Sequence, residues 1–111
     1  MPKSKKELDE ELIQIKESHK EIPVFKLTTF LNEDEEQERT IFLRKPTRMV
    51  RTAGEKVAQT DPWKGVETFL RGMYLGGDNL DEIIKNDDAL MIAGDVLVEI
   101  IKLKPGNVQR V

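Results

Sequence analysis

Few residues in this chain have the types and spacing that catalysis requires. The single histidine, His19, lies among charged residues from Lys16 to Glu21, and the chain has no cysteine that could act as a nucleophile beside it. Nucleophilic catalysis needs a base within hydrogen-bond reach of the nucleophile and a third group that orients the base. We therefore expect His19 to be solvated, and the sequence predicts no catalytic triad.

Two adjacent pairs of acidic residues are candidates for acid–base chemistry. They are Asp81/Glu82 and Asp87/Asp88, and each pair stands where a helix is expected to begin. Adjacent residues of a helix diverge around its axis, and acids stabilise a first helical turn through the helix dipole. Helix capping therefore explains both pairs better than catalysis does.

The segment Gly76-Gly77-Asp78 is a candidate ligand loop. It lacks the lysine and the glycine spacing of a phosphate-binding loop, and Leu80 stands where a calcium loop requires an oxygen ligand. A helix stop followed by a helix cap at Asp78 explains these residues better. We therefore expect no metal, no cofactor and no enzymatic activity.

Charge is segregated along the chain although the total is nearly balanced. The chain has 111 residues, with 18 basic and 21 acidic side chains and a net charge of -3. One group, the acidic cluster, consists of Glu33, Asp34, Glu35, Glu36 and Glu38. A second group, the basic cluster, consists of Arg44, Lys45, Arg48 and Arg51. A strand of six residues would separate the two clusters by about 20 Å, which exceeds the Debye length of ~8 Å at physiological salt.

The basic cluster has three open interpretations. It could bind nucleic-acid phosphates, although the chain is acidic overall and lacks a recognised nucleic-acid-binding motif. It could bind the acidic cluster of a second copy, which would be a heterologous contact of the kind that forms rings or filaments. It could also be a solvated turn with ordinary surface charge.

Four apolar or aromatic residues of one predicted helix are candidates for binding a protein partner. Trp63, the only tryptophan, lies in the first turn of that helix. Core packing is the first interpretation of Trp63, and an exposed anchor is the alternative, because tryptophan is enriched at interface hot spots. With Phe69, Met73 and Tyr74 it could line an apolar groove for a partner helix.

The elements that would position these residues follow from hydrophobic periodicity. Ser4 and Glu7 have the spacing of a capping box, and apolar residues then recur at intervals of three and four, which predicts an amphipathic helix from Ser4 to about Lys20. Its apolar stripe is narrow, so we expect the helix to be loosely docked. The segments Val24 to Leu31 and Arg39 to Arg44 have strand composition and predict a β-hairpin with an acidic loop.

Helices are expected after the hairpin. The apolar period changes to about 3.6 beyond Pro46, which predicts a helix from about Thr47 to Gln59. Asp61-Pro62 begins the next helix, and Gly76-Gly77 ends it. A short helical turn follows, and then a last helix that Pro105-Gly106 closes.

The predicted fold class is α+β, with an N-terminal amphipathic helix, a β-hairpin and a C-terminal bundle of about three to four helices. We expect residues 1–21 to form the charged helix, residues 22–104 a single domain and residues 105–111 a short tail. The composition, 38% hydrophobic and 35% charged, is typical of a soluble globular domain. No apolar stretch approaches the ~20 residues of a membrane span, and no signal peptide is recognisable, so we expect a cytoplasmic protein.

The order of segments resembles a group of small proteins encoded in the tail-assembly regions of bacteriophages and prophages, described as tail assembly chaperones or chaperone-like. The resemblance covers roughly residues 22–103. The motifs that carry it are FLRKPTR, which includes Leu43 to Arg48, the Asp61-Pro62 pair, the GMYLGGD block with Leu75 to Asp78, and Asp87-Asp88.

The resemblance implies a non-enzymatic protein in the cytoplasm of the host cell. Such a protein binds the apolar, helical tape-measure protein before the tail tube polymerises and leaves before the virion is finished. One alternative is a structural component of the capsid, neck or tail, which would stay in the virion through repeated self-contacts. The second alternative is a small nucleic-acid-binding module that uses the basic cluster.

Overall fold

Five helices and a three-stranded antiparallel sheet make up the described part of the chain, residues 2–102, in a computed structural model. In chain order the elements are α1 (Lys5–Ser18), β1 (Val24–Phe30), β2 (Glu38–Arg44), α2 (Arg48–Ala58), α3 (Pro62–Met73), β3 (Tyr74–Gly77), α4 (Leu80–Lys85) and α5 (Asp87–Lys102). The predicted α+β class is confirmed. The expected tail, residues 105–111, lies outside the described residues. Between residues 2 and 102, no helix has the length and apolar character that crossing a membrane requires.

The predicted hairpin is present, and its register separates two faces of the sheet. β1 and β2 are antiparallel, with Leu27 opposite Ile41 and Lys26 opposite Phe42. Leu27 and Ile41 belong to the main hydrophobic core. Alternate residues of each strand share one face, so the face that contains Leu27 and Ile41 lies against the helical layer. The acidic connection is more ordered than the expected loop, because it forms two short 3₁₀ turns, Leu31–Glu33 and Glu35–Gln37.

A third strand is the main departure from the predicted order of elements. β3 pairs antiparallel with β2, with Gly77 opposite Ile41 and Gly76 opposite Phe42. The glycine pair was expected to stop a helix, whereas α3 ends at Met73 and both glycines lie in the sheet. The C-terminal part is therefore not an uninterrupted helical bundle, because a strand of the sheet separates α3 from α4.

The helical layer packs on the Leu27 and Ile41 face of the sheet. α3 contributes Phe69, Leu70 and Met73 to the core. The other helical core residues come from α4 and α5 and are Leu80, Ile83, Ala89, Leu90, Ala93, Leu97 and Ile100. Most of the apolar residues that the periodicity assigned to these helices are therefore core residues.

Helix caps agree with the sequence at two places and differ at two others. Ser4 and Glu7 form the predicted capping box of α1, and Asp61 accepts a hydrogen bond from the backbone N–H of Lys64 at the start of α3. The side chain of Asn79, not Asp78, caps α4. At the start of α5 the Asn86 side chain accepts from the Ala89 N–H, 3.0 Å away, so the following aspartates are not the capping residues.

Helix α1 lies on the other face of the sheet, against β3. Its one buried residue is Ile15, while Leu8 and Leu12 are half-buried and Ile13 is exposed. A cavity of about 320 Å³ between α1 and the sheet is lined by Leu8, Leu12 and Phe42, together with charged residues of both signs. The expectation of loose docking stays a prediction about the strength of this contact.

Candidate functional site

The structure separates the four apolar candidates for partner binding. Phe69 is 8% exposed and Met73 is 0% exposed, so both are core residues. Tyr74 is half-buried, and its hydroxyl donates a hydrogen bond to the backbone carbonyl of Asp78 over 2.9 Å. Trp63 is 52% exposed. The four residues therefore do not line one groove, because Phe69 and Met73 are used in core packing, with Phe69 against Gly54 of α2. Of the four, only Trp63 is largely exposed.

Several other large apolar side chains are exposed among residues 2–102. They are Ile13 of α1, Met49 of α2, and Met91 and Val98 of α5. Met49, in the first turn of α2, is 81% exposed although it belongs to the apolar period that predicts this helix. A single-sequence pattern could not identify it, because a residue in the first turn of a helix can lie beyond the layer against which the rest of the helix packs.

The basic cluster is assembled where β2 ends and α2 begins. Arg44 is the last residue of β2, and its Nε donates to the Lys45 carbonyl over 3.3 Å. Arg48 opens α2 and is exposed. Arg51 lies one turn later, 4.0 Å from the Glu55 carboxylate, a weak exposed pair. The hairpin and α2 therefore hold four cations at one end of the sheet.

The acidic cluster occupies the opposite end of the hairpin. The register pairs Phe30 with Glu38 at this end and Val24 with Arg44 at the other. Glu35, Glu36 and Glu38 are exposed, and the Asp34 carboxylate accepts from the Glu36 N–H over 2.9 Å. Glu33 is the last residue of the first 3₁₀ turn, which the Asp34 N–H closes by donating to the Leu31 carbonyl over 3.0 Å.

The start of α5 adds further acids beside the acidic cluster. Asn32, between β1 and the cluster, exchanges hydrogen bonds with Asn86, whose side chain donates to the Asn32 amide oxygen over 3.0 Å. Asp87 and Asp88 follow Asn86 directly in the chain. The hairpin therefore has an acidic and a basic end, as the sequence predicts.

A polar network that the sequence did not reveal joins α1 to β3. Glu11 accepts from the Gly77 N–H over 2.8 Å and forms an ion pair with Lys3. Asp78, 3% exposed, accepts from the Lys3 N–H over 2.7 Å and from the Thr40 N–H over 2.8 Å. These contacts hold the N-terminal segment against the edge of the sheet.

This network raises two pKa values. The hydrogen bond to Glu11 raises the pKa of the Lys3 ammonium above 10.5, its ordinary value. Burial raises the pKa of the Tyr74 hydroxyl above 10.0, and the charge of Glu11 acts in the same direction. The folded state therefore favours the protonated form of both groups.

His19 has a local backbone contact. Its Nδ1 lies 3.0 Å from the Ile15 carbonyl oxygen at the end of α1. Among residues 2–102, no group of three histidine, cysteine, aspartate or glutamate side chains is arranged to hold a metal ion. No protein-family model, curated protein or solved structure matches the chain.

Proposed function

We propose that this protein is a non-enzymatic, tail assembly chaperone-like protein that acts in the cytoplasm of a phage-infected host. Its partner is a protein with amphipathic helical segments, such as a tape-measure protein. The observation that carries the proposal is the exposure of Trp63. A half-exposed tryptophan on a packed helix offers a large apolar contact at little conformational cost, which is typical of interface anchors.

The motifs that resemble tail assembly chaperones support the proposal through their positions. FLRKPTR covers the end of β2 and the start of α2, and Asp61-Pro62 begins α3 beside Trp63. The GMYLGGD block forms the end of α3 and all of β3, and Asp87-Asp88 begins α5. The resemblance therefore concerns the junctions that set the geometry of the sheet and its helical layer.

The test uses Trp63 as an intrinsic fluorescent reporter, because it is the only tryptophan in the chain. The titrant is a tryptophan-free helical fragment of a phage tape-measure protein, the proposed partner. Binding should shift the Trp63 emission to shorter wavelengths, since the indole leaves water. Replacement of Trp63 by Ala should weaken binding by tenfold or more, as for an interface hot spot, measured by calorimetry.

Met49→Ala is the matched control for this substitution. Met49 is a more exposed apolar residue on the neighbouring helix α2, and its replacement should leave the affinity within about threefold, as for most residues outside a hot spot. Equal losses of affinity in both variants, or no binding by the wild-type chain, would contradict the proposal.

A second candidate function is a structural virion component that forms repeated self-contacts. The segregation of charge favours it, because the acidic end of one hairpin is complementary to the basic end of another. It differs from the first candidate in requiring self-association without a helical partner.

A further inference from the structure

We infer that the surface beneath α1 is a binding site for an amphipathic helix, and that α1 occupies this site until a helix of a partner displaces it. We call this surface, formed by Thr40, Phe42, Gly76, Gly77 and Asp78, the α1 seat. It lies on the face of the sheet opposite the layer that contains Trp63, so it is a separate contact. Only the identity of the partner rests on the proposed function.

The seat offers polar groups that recognise a helix with an acidic residue in a defined position. The Gly77 N–H donates a hydrogen bond to the Glu11 carboxylate. The Asp78 carboxylate accepts from the backbone N–H of Lys3, the residue before the N-cap Ser4, and so holds the chain that leads into α1. Both bonds join residues more than sixty positions apart, since their separations are 66 and 75 residues.

The shape of the seat also fits a helix that approaches the sheet closely at Gly76. A Cβ on Gly76 would lie 2.9 Å from the Ile15 Cδ1 and closer still to the Glu11 carboxylate. Phe42, which forms the floor beside Gly76, is 2% exposed. A glycine at this position permits the helix to approach, and a larger residue would push it away.

The present occupant buries few of its residues. Ile15 is the one residue of α1 that is buried, whereas α5 places five residues in the core. Its hydrogen bonds to the seat are partly accessible to water, and the cavity of about 320 Å³ beside Leu8 and Leu12 shows that α1 does not fill the groove. Segments with few buried apolar groups open at a small fraction of the global free energy of unfolding.

The chemistry of a displacing helix follows from α1 itself. Leu8, Glu11, Leu12 and Ile15 are spaced as one helical face, with an acidic residue three positions after the first apolar residue. A partner helix with this pattern and a bulkier apolar residue beside the cavity would reproduce the bonds of α1 and bury more surface. The occupant of the seat is therefore an amphipathic helix with one acidic residue on its apolar face.

The experiment measures binding of a fluorescent peptide with residues 2–20 of this chain to the full-length protein. Glu11→Ala with Ile15→Ala releases the tethered α1 from the seat. Because a short tether supplies α1 at an effective concentration of about millimolar, the peptide should bind this variant at least tenfold more tightly than it binds the wild type. Glu10→Ala with Ile13→Ala, two exposed residues of the same helix, should behave as the wild type.

Gly76→Ala tests whether the peptide binds in the α1 seat. Added to the Glu11→Ala and Ile15→Ala chain, it should weaken peptide binding at least tenfold, whereas Gly94→Ala in α5 should not change it. Circular dichroism establishes that each chain is folded, and Glu11→Gln alone replaces the double variant if that chain is unfolded. Equal peptide affinity for the wild type and the released chain, or binding that Gly76→Ala leaves intact, would overturn the inference.

The outcome of the peptide experiment does not depend on the proposed function. It uses no phage protein, and it does not involve Trp63. A negative result would leave α1 as a permanent part of the fold, while the fluorescence titration with a tape-measure fragment would keep its own outcome.

Discussion

Gly77 shows how one residue without a side chain determines where a strand can lie. Its φ of 108° is in the left-handed region, and a Cβ there would lie 2.7 Å from the Ile41 Cα and 2.6 Å from the Thr40 carbonyl oxygen. Both neighbours are backbone atoms of the central strand and cannot turn aside. Glycine is therefore required for β3 to pair with β2 at this point.

We predict opposite effects for two glycine-to-alanine substitutions. Gly77→Ala should lower the free energy of unfolding by roughly 1–3 kcal/mol, because an alanine would be strained at this φ and would meet the backbone of β2. Gly94→Ala should raise it by about 0.5–1 kcal/mol, because Gly94 is inside α5, where alanine is the better helix former. Its added Cβ would be 3.4 Å from the nearest Val66 carbon, an ordinary contact.

Urea denaturation followed by circular dichroism measures both changes. The two substitutions add the same methyl group, so their comparison removes any general effect of the larger side chain. A neutral Gly77→Ala variant would show that the positive φ is not needed for the pairing of β3 with β2.

At the scale of single elements, we expect the attachment of α1 to depend on pH, because Lys3 and Tyr74 belong to the network that joins α1 to β3. The raised pKa values of Lys3 and Tyr74 mean that the folded state favours their protonated forms. A group with a raised pKa contributes stability below its unfolded pKa, and this contribution disappears as the pH rises through the folded pKa. The relevant window therefore begins at about pH 10, near the ordinary values of 10.0 for tyrosine and 10.5 for lysine.

We predict that the Tyr74 hydroxyl titrates above pH 10.0 in the folded protein and returns to its ordinary value in denaturant. Tyr74 is the only tyrosine in the chain, so the ultraviolet absorbance of the phenolate reports it alone. Glu11→Gln should lower the midpoint, because the Glu11 charge helps to raise this pKa. Glu10→Gln on the exposed side of α1 is the control, and an unchanged midpoint in Glu11→Gln would contradict the described network.

The sequence predicts those elements whose causes are local. Ser4 and Glu7 are three residues apart and form their capping box, and Asp61-Pro62 begins α3 as such a pair should. The hairpin is also local, because two alternating segments are joined by a short polar connection. These signals are complete within a few residues, so a single sequence reveals them.

The features that the sequence did not reveal depend on distant partners. Tyr74–Gly77 is short and half glycine, and it becomes a strand because β2 is available beside it. Asp78 has the residue type of a helix cap, yet its carboxylate bridges Lys3 and Thr40. Exposure of Trp63 and burial of Phe69 are likewise decided by packing between elements, with Phe69 against Gly54 of α2. Periodicity within one helix therefore could not exclude the expected groove.

At the scale of the whole molecule, the two charge clusters give the surface one acidic end and one basic end. The acidic cluster and the basic cluster lie at opposite ends of the β1–β2 hairpin. Single exposed ion pairs contribute little, about 0–1 kcal/mol each, but several complementary charges can orient two molecules and hold them at low ionic strength. Self-association through these ends should therefore weaken steeply as salt is added.

A charge-reversal experiment tests whether the acidic end of one molecule binds the basic end of another. One variant carries Glu35→Lys, Glu36→Lys and Glu38→Lys, and the other carries Lys45→Glu, Arg48→Glu and Arg51→Glu. Analytical ultracentrifugation at about 10 mM salt, where the Debye length is ~30 Å, should show each variant as a monomer. An equal mixture should regain the mass of the wild-type assembly, because each reversed end then meets a complementary one.

Three results define the outcome of this experiment. Recovery of mass in the mixture but not in either variant supports contact between unlike ends. A wild-type chain that stays monomeric at low salt would contradict the second candidate function. An unchanged mass in the two separate variants would show that self-association uses another surface.

The bond between Glu11 and Gly77 has a consequence for the order of events during synthesis. Its two residues are 66 positions apart, so a ribosome adding ~5–20 residues per second needs about 3–13 s to make the second after the first. During that interval α1 has been synthesised, but the strand that receives it does not exist. The newly made helix is therefore unattached while the hairpin forms, and it is then that its apolar face is most accessible to other proteins.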